Sequence, residues 1–304
     1  ARIYGYNKIE SRLPRLAANT SSSREESNLR KLVNALLAQG CNECITYSFV
    51  SPEMNRTAGK GDAVALRNPF GEETSVMRTS LLPSMLKVVK NNLNSGNSAG
   101  RLFELGRIYT GESEPEKLCI ALFGKDEDFY TLKGVFEAIL AAFKLPLSIN
   151  SITRHTDAPY HPGRAAACDY VVFGEISPLI LAEYDIDTRV YAAEIDIAKF
   201  FAQCENKLIF THLPKYPDSV RDLSLVCTQD TASGEVIALI EGACKAILQR
   251  VEFFDVFELS DGQKSLSYKL TFRKADGTLT SDEVEQGIGK ILKALEQNNI
   301  KLRS

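Results

Sequence analysis

Between Lys215 and Leu302 the apolar residues recur first with a period of two, then of 3.6, in the order strand, helix, strand, strand, helix, strand. Few folds accept that order. Leu223, Leu225 and Cys227 alternate with Asp222, Ser224 and Val226, so one side of a strand faces a core. Val236, Ile237, Leu239, Ile240, Ala243, Cys244, Ile247 and Leu248 follow at helical spacing. Val251 to Phe257 and Ser265 to Phe272, rich in aromatic and β-branched residues, read as an antiparallel pair. Thr280 and Glu283 form a capping box, in which hydroxyl and carboxylate each satisfy an orphan amide of a helix start. Val284, Ile288, Ile291, Leu292 and Leu295 mark that helix, and Ile300-Lys-Leu302 is an edge strand. The pattern predicts a ferredoxin-like βαββαβ module, with helices on one face of the sheet and the other face open to a ligand.

The first two thirds read differently. Ala17 to Ser23 is a linker of small residues, after which Ser23 and Glu26 form a second capping box. Leu29, Leu32, Val33, Leu36 and Leu37 then line one helix face, and Gly40 suits the left-handed position that closes a helix. Cys44 to Val50 alternates like a strand, Ser51-Pro52 starts another helix, and Asn68-Pro-Phe-Gly71 is a turn. Leu82, Met85, Leu86, Val89 and Leu93 give a further helix. Arg101 to Tyr109, Lys117 to Phe123, Ala165 to Phe173 and Arg189 to Ile195 each read as one strand, with helices near Leu132 to Phe143 and Ile197 to Cys204. Strands joined by hairpins with helices between them predict a mixed, largely antiparallel sheet of the α+β class.

At 304 residues with 44% apolar side chains, the chain can bury more than one core. No run approaches the roughly 18 apolar residues of a bilayer crossing, and Ala1-Arg-Ile-Tyr-Gly5 is no signal peptide, which predicts a soluble, cytoplasmic protein with no membrane contact. The abrupt start without methionine predicts a piece of a longer chain. Seven cysteines at irregular spacing predict reduced thiols, and Cys41-Asn-Glu-Cys44, without a second pair, reads as two core thiols. Net charge is −3, and the segment from Lys207 carries 13 Lys and Arg against 14 Asp and Glu. An RNA contact must therefore rest on a local patch, for which Lys215, Arg250, Lys264, Lys269 and Arg273 are the candidate phosphate contacts; a solvated surface fits most of them equally well.

Signatures of chemistry are missing. No Gly-rich phosphate cradle, HExxH or GxSxG occurs, and the only histidines are His155, His161 and His212, so neither a catalytic nor a metal site is predicted. His161, in Tyr160-His-Pro-Gly-Arg164, reads as part of a turn that leads Arg164 into a strand.

Several short motifs carry a family resemblance. Arg2-Ile-Tyr-Gly-Tyr-Asn-Lys-Ile9, Arg67-Asn-Pro-Phe70, Met77-Arg-Thr-Ser-Leu-Leu-Pro83, Leu102-Phe-Glu-Leu-Gly-Arg107, Tyr160-His-Pro-Gly-Arg164, Arg221-Asp-Leu-Ser-Leu225 and Lys264-Ser-Leu266 occur in one colinear order. In that order they resemble the bacterial phenylalanyl-tRNA synthetase beta subunit. The resemblance implies a C-terminal fragment in three parts: 1–18, the tail of a winged-helix-like domain plus linker; 19–206, a non-catalytic copy of the class II synthetase core; and 207–304, a ferredoxin-like anticodon-binding domain. It implies as partners a catalytic alpha subunit, in a heterotetramer of two alpha and two beta chains, and tRNA-Phe. ATP and Mg2+ would serve the holoenzyme, with no cofactor in this piece. The helix from Ser23 to Gln39 resembles the interface helix of class II folds, and its apolar seam is expected either to meet the partner or to fill the chain's own core. No Gly-x-Gly-x-Glu-Arg nucleotide motif lies between 19 and 206, and without such side chains the developing charge of adenylate formation would be unsupported.

An anticodon reader needs a ring to stack on a base and a polar group to read its edge. Strand alternation puts Asp255 and Phe257 on one face, with Ser265 opening the strand predicted to pair with theirs. The resemblance assigns Phe257 to stacking on the first anticodon base, a guanine. It assigns Asp255 to accepting from N1 and N2 of that guanine, and Ser265 to a small polar contact beside the slot. The plainer alternative has these three as exposed residues of no consequence, with Phe254 and Val256 packing the core. The other functional reading is a metabolite-sensing or protein-interaction module fused to a degenerate synthetase-like domain.

Overall fold

The computed structural model of the chain describes residues 1–13, 23–58, 61–111, 113–145, 152–204, 212–259 and 262–303. The small-residue linker up to position 22, and the boundaries expected at 18/19 and 206/207, lie outside those residues.

Two capping boxes read from the sequence open the first and last helices. Ser23 Oγ accepts from Glu26 N at the start of α1 (Arg24–Ala38), and Thr280 Oγ1 does so from Glu283 N at the start of the last helix. Gly40, at φ +75°, closes α1. Next come β1 (Asn42–Glu43), β2 (Phe49–Val50), α2 (Pro52–Ala58), β3 (Val76–Met77), α3 (Leu82–Asn94), β4 (Gly100–Arg107) and β5 (Glu116–Phe123). α4 (Phe129–Ala142), β6 (Thr153–Arg154), β7 (Tyr160–Cys168), β8 (Val171–Ile176), α5 (Pro178–Glu183), β9 (Val190–Asp196) and α6 (Ile197–Ala202) complete the first part. Its main sheet has the order β1-β4-β5-β9-β8-β7-β6, antiparallel except for the β1–β4 pair. One face packs on α1 and α4 through Leu32, Leu36, Phe136 and Phe173; the other packs on α3 through Leu82, Met85, Leu86 and Val89.

The second part has β10 (Ser219–Thr228), α7 (Ser233–Ala243), β11 (Leu248–Glu258), β12 (Gln263–Phe272), α8 (Ser281–Glu296) and β13 (Lys301–Leu302). Its sheet order is β11-β12-β10-β13, the βαββαβ arrangement expected from the sequence. Leu223, Leu225, Leu266, Tyr268, Leu270 and Phe272 face α7 and α8.

The structure departs from the sequence reading at particular places. Cys44 to Val50 is not one strand, because Thr46 N–H turns aside to donate to the Glu104 carboxylate instead of a ladder. Ala165 to Phe173 is not one strand either: Asp169 and Tyr170 turn between β7 and β8, and Cys168 faces Val171. The turn was hidden because Tyr170 packs on Phe136 and Phe200 like a core residue. His161-Pro-Gly-Arg164 lies within β7 as a break in register, with Gly163 N–H donating to His161 Nδ1. The helix after Gly234 ends at Ala243, since Cys244 leaves helical backbone and Leu248 joins β11 opposite Phe272. Leu32 and Leu36 are fully buried with Leu29 and Val33 packed beside them, so most of the α1 seam fills the chain's own core, while Leu37 is exposed. Phe254 and Val256 are more than half exposed and do not pack the core.

Cys41 and Cys44 are core thiols. Burial pushes both up to about 11, which keeps them protonated near neutral pH.

Gly174 marks a close approach of β8 to β7, where an added Cβ would sit 2.5 Å from Ala165 Cα and from the Arg164 carbonyl oxygen. Both are backbone atoms, so Gly174→Ala should cost about 1–3 kcal/mol, the usual range for overpacking. The urea unfolding midpoint checks this; an unchanged midpoint would show that the strands yield freely.

Candidate nucleic-acid interface

The face of the second sheet away from α7 and α8 carries the predicted residues. The register sets Phe257 directly opposite Ser265, and Asp255 opposite Ser267. On β10, Val226 lies across from Ser265 and Ser224 from Ser267, so a strip of small side chains runs down the middle of this face. Ser224 and Ser267 hydroxyls are 3.0 Å apart and bonded. Ser265 is 1% exposed, and its Oγ is buried without a hydrogen-bond partner among the described residues. A buried hydroxyl left in that state is uncommon and calls for a reason.

Arg303 supplies it. Its backbone N–H donates to Ser224 O as β13 ends, and its guanidinium crosses the strip to lie 5.1 Å from the centroid of the Phe257 ring. Ring and guanidinium close over Ser265 from the two sides of the sheet. Phe257 is 54% exposed on its edge strand with Arg303 in place, so the ring stays open to a ligand beside the guanidinium. A register shift between Phe253 and Asp255 turns Phe254 toward Lys269, whose Nζ lies 5.9 Å from that ring. Sequence reasoning missed Arg303. The only signal was alternation beyond Lys301, and strand order alone brings it across to Phe257.

The five candidate phosphate contacts do not form one patch. Arg250 and Lys269 stand on the same face as Asp255, Arg250 being paired with Glu252 at 2.7 Å. Lys264 donates to Gln229 O at 2.8 Å, on the helix side of the sheet beside Cys227. Lys215 and Arg273 line a cavity of about 390 Å³ at the far end, with Arg273 tied to Asp218 at 3.0 Å. Eight residues of strand separate Arg273 from Ser265, roughly 27 Å.

On the first sheet, the face that carries α3 keeps a cavity of about 220 Å³. Three of its charged side chains are engaged internally. Lys117 pairs with Asp196 at 2.7 Å, and Glu194 accepts from Ser80 Oγ and Leu81 N at 3.0 Å each. Ligand pockets for a molecule of nucleotide size run from about 300 Å³ upward, and this one is smaller. No three His, Cys, Asp or Glu side chains converge among the described residues, and no described helix is long and apolar enough to cross a membrane.

Residues 214–303 match the ferredoxin-fold anticodon-binding domain, so the second part belongs to that class of domain. Residues 9–197 match the model of the phenylalanyl-tRNA synthetase beta chain CLM domain. The chain belongs to the phenylalanyl-tRNA synthetase beta chain family. It is 33% identical to the phenylalanine-tRNA ligase beta subunit of Clostridium tetani, over 98% of this chain and 40% of that protein. The corresponding subunit of Carboxydothermus hydrogenoformans is 33% identical over 100% of this chain and 42% of its own length, and that of Bacillus subtilis 32% over 97% and 40%. The chain thus spans about 40% of the curated relatives' length. A pyrrolysyl-tRNA synthetase of Desulfitobacterium hafniense is similar over 59% of this chain and 68% of its own, at 15% identity and a TM-score of 0.48, which adds nothing to the family assignment.

Proposed function

We propose that this chain is the part of a phenylalanine-tRNA ligase beta subunit that grips the anticodon of tRNA-Phe, while a companion alpha subunit performs ATP-dependent aminoacylation in the cytoplasm. The assembly would hold two copies of each subunit. The observation that carries this reading is the Phe257 ring opposite Ser265, with Asp255 one step along the same face, on a module that matches an anticodon-binding domain. Phe257 stacks on the first anticodon base, and the Asp255 carboxylate accepts from the two adjacent donors on a guanine edge. Ser265 Oγ meets the base once the Arg303 arm swings off the ring. Arg250 and Lys269, on the same face, are the phosphate contacts retained from the sequence reading.

ATP and Mg2+ fit poorly here, because the cavity facing α3 is small and its Glu194 and Asp196 carboxylates are already bonded. Both are assigned to the companion subunit. The α1 seam, mostly buried in the core, leaves that subunit little to use. Ile45 and Tyr47, 89% and 82% exposed, form with Phe49 an outward apolar row beside a cavity of about 560 Å³, and this row is the better surface for it. No observation favours a metabolite-sensing module.

The test exchanges the first anticodon guanine for inosine, which lacks the N2 amino group. Wild-type protein in the assembled ligase should lose about 1 kcal/mol of tRNA binding, the net worth of one hydrogen bond. Asp255→Ala should lose nothing further on that exchange. An equal inosine penalty in both proteins would show that Asp255 does not read the base.

A further inference from the structure

A second group of aromatic and basic side chains lies on the first sheet, remote in sequence from the anticodon module. Phe129 and Tyr130 at the start of α4, Arg154 of β6, and Gly163, Arg164 and Ala165 of β7 line a cavity of about 340 Å³. Tyr130 is 75% exposed and meets the Phe129 ring edge-on, with centroids 5.6 Å apart. Phe129 is itself stacked on Phe173 at 5.4 Å, so the inner ring is fixed by the core and the outer ring is presented to solvent.

The charge around this cleft is one-sided. Arg164 Nη1 donates to both oxygens of Glu175, at 2.9 and 3.0 Å, which leaves its Nε and Nη2 without a share in that bond. Glu175 is buried and also draws in Arg189, whose Nε lies 3.9 Å from Oε1. Arg154 is exposed and has no side-chain partner among the described residues. Asp128, next to Phe129, directs its carboxylate to Thr131 N–H on its own helix. Two guanidiniums, those of Arg154 and Arg164, thus line one cavity whose lining holds no carboxylate, on a chain whose net charge is −3. Free guanidinium donors suit phosphate oxygens, and an exposed ring beside them suits an unstacked base; that pairing is what unpaired RNA requires and an acidic peptide does not.

The geometry points to this cleft as a second RNA site, holding one unpaired nucleotide of the bound tRNA. Arg154 and Arg164 hold its phosphate and Tyr130 stacks on its base. The assignment rests on the tRNA reading above but not on the anticodon contacts, since none of these residues belongs to the second sheet.

Tyr130→Ala and Arg154→Ala are the informative variants, because both side chains are exposed and neither leaves a buried charge behind. Arg164 is avoided, since its removal strands Glu175. Binding would be measured in the assembled ligase with a tRNA-Phe transcript, and again with a transcript whose three anticodon bases are replaced. Tyr130→Ala should weaken both RNAs about fivefold or more. Arg154→Ala should also lower the slope of log affinity against log salt by about 0.7, one phosphate's share. Unchanged affinity and slope for both variants, with Phe257→Ala still weakening the normal transcript, would overturn this site and leave the anticodon reading intact. Losses in both variants with no effect of Phe257→Ala would support the site and remove the anticodon assignment. A loss seen only with the normal anticodon would overturn the site's independence, and with it this inference.

Discussion

Arg78→Met should destabilise the first part of the chain by about 3–5 kcal/mol, the usual cost of stranding one half of a buried ion pair. Arg78 and Glu104 side chains are 4% and 2% exposed and meet at 2.7 Å. Arg78 Nη1 also donates to Thr46 Oγ1 and its Nε to Arg107 O, while Glu104 accepts from Thr46 N and Oγ1. Every charge is therefore matched, and removing the cation leaves Glu104 with only Thr46. Gly106 makes room for the guanidinium: a Cβ there would lie 2.5 Å from Arg78 Nη2. The neighbouring residues are anchored by other elements, Thr79 by Asn55 of α2 and Ser80 by Glu194 of β9. The Arg-Thr-Ser motif is thus a three-way brace that fixes the entry to α3. Arg78→Met/Glu104→Leu should recover most of the loss, because an apolar pair carries no uncompensated charge. Urea unfolding of the single and double variants decides it; equal losses in both would mean that packing, not charge, holds the brace.

This brace also shows where sequence reading stops. Met77 to Pro83 stands out as a motif, but its partners Thr46, Asn55, Glu104 and Glu194 come from one loop and three separate elements, and no local period relates them. Capping boxes at Ser23 and Thr280 were legible because each closes within four residues. The alternation of Leu223, Leu225 and Cys227 was legible because one sheet face is wet and the other dry. The β7–β8 hairpin was not, since its turn uses Asp169 and Tyr170 instead of a glycine and Tyr170 packs inward. In the candidate interface, the common face of Asp255 and Phe257 follows from a period of two. The closeness of Arg303 follows from strand order, which places β13 beside β10 rather than beside β12. Likewise Arg154 and Arg164 line one cavity only because β6 and β7 are neighbours, and Arg164 and Arg189 share the buried Glu175 only because β7, β8 and β9 are.

Phe257→Ala should remove about 1–3 kcal/mol of tRNA binding, the worth of stacking one base. The ring is 54% exposed on an edge strand, so truncation should leave the fold intact, and the loss should fall on RNA binding alone. The competitor for the ring is the Arg303 guanidinium at 5.1 Å. A cation over an exposed ring is worth about 0.5–1 kcal/mol, less than a stacked base, so a base should displace it. Arg303→Ala should therefore change affinity by no more than about 1 kcal/mol, whereas Phe257→Ala loses the whole stacking contribution. Phe257→Tyr should bind as the wild type does, because the ring face and not its edge supports the base. Displacing Arg303 also uncovers Ser265 Oγ, which has no partner while the arm is closed. Ser265→Ala should then weaken binding of tRNA while leaving the unfolding midpoint unchanged or raised, since the buried hydroxyl makes no bond in the closed state. Aminoacylation and tRNA binding measured together on these variants test the arrangement: unchanged kinetics in Phe257→Ala would remove the ring from the interface, and a larger loss in Arg303→Ala than in Phe257→Ala would make the guanidinium, not the ring, the surface on which the base rests.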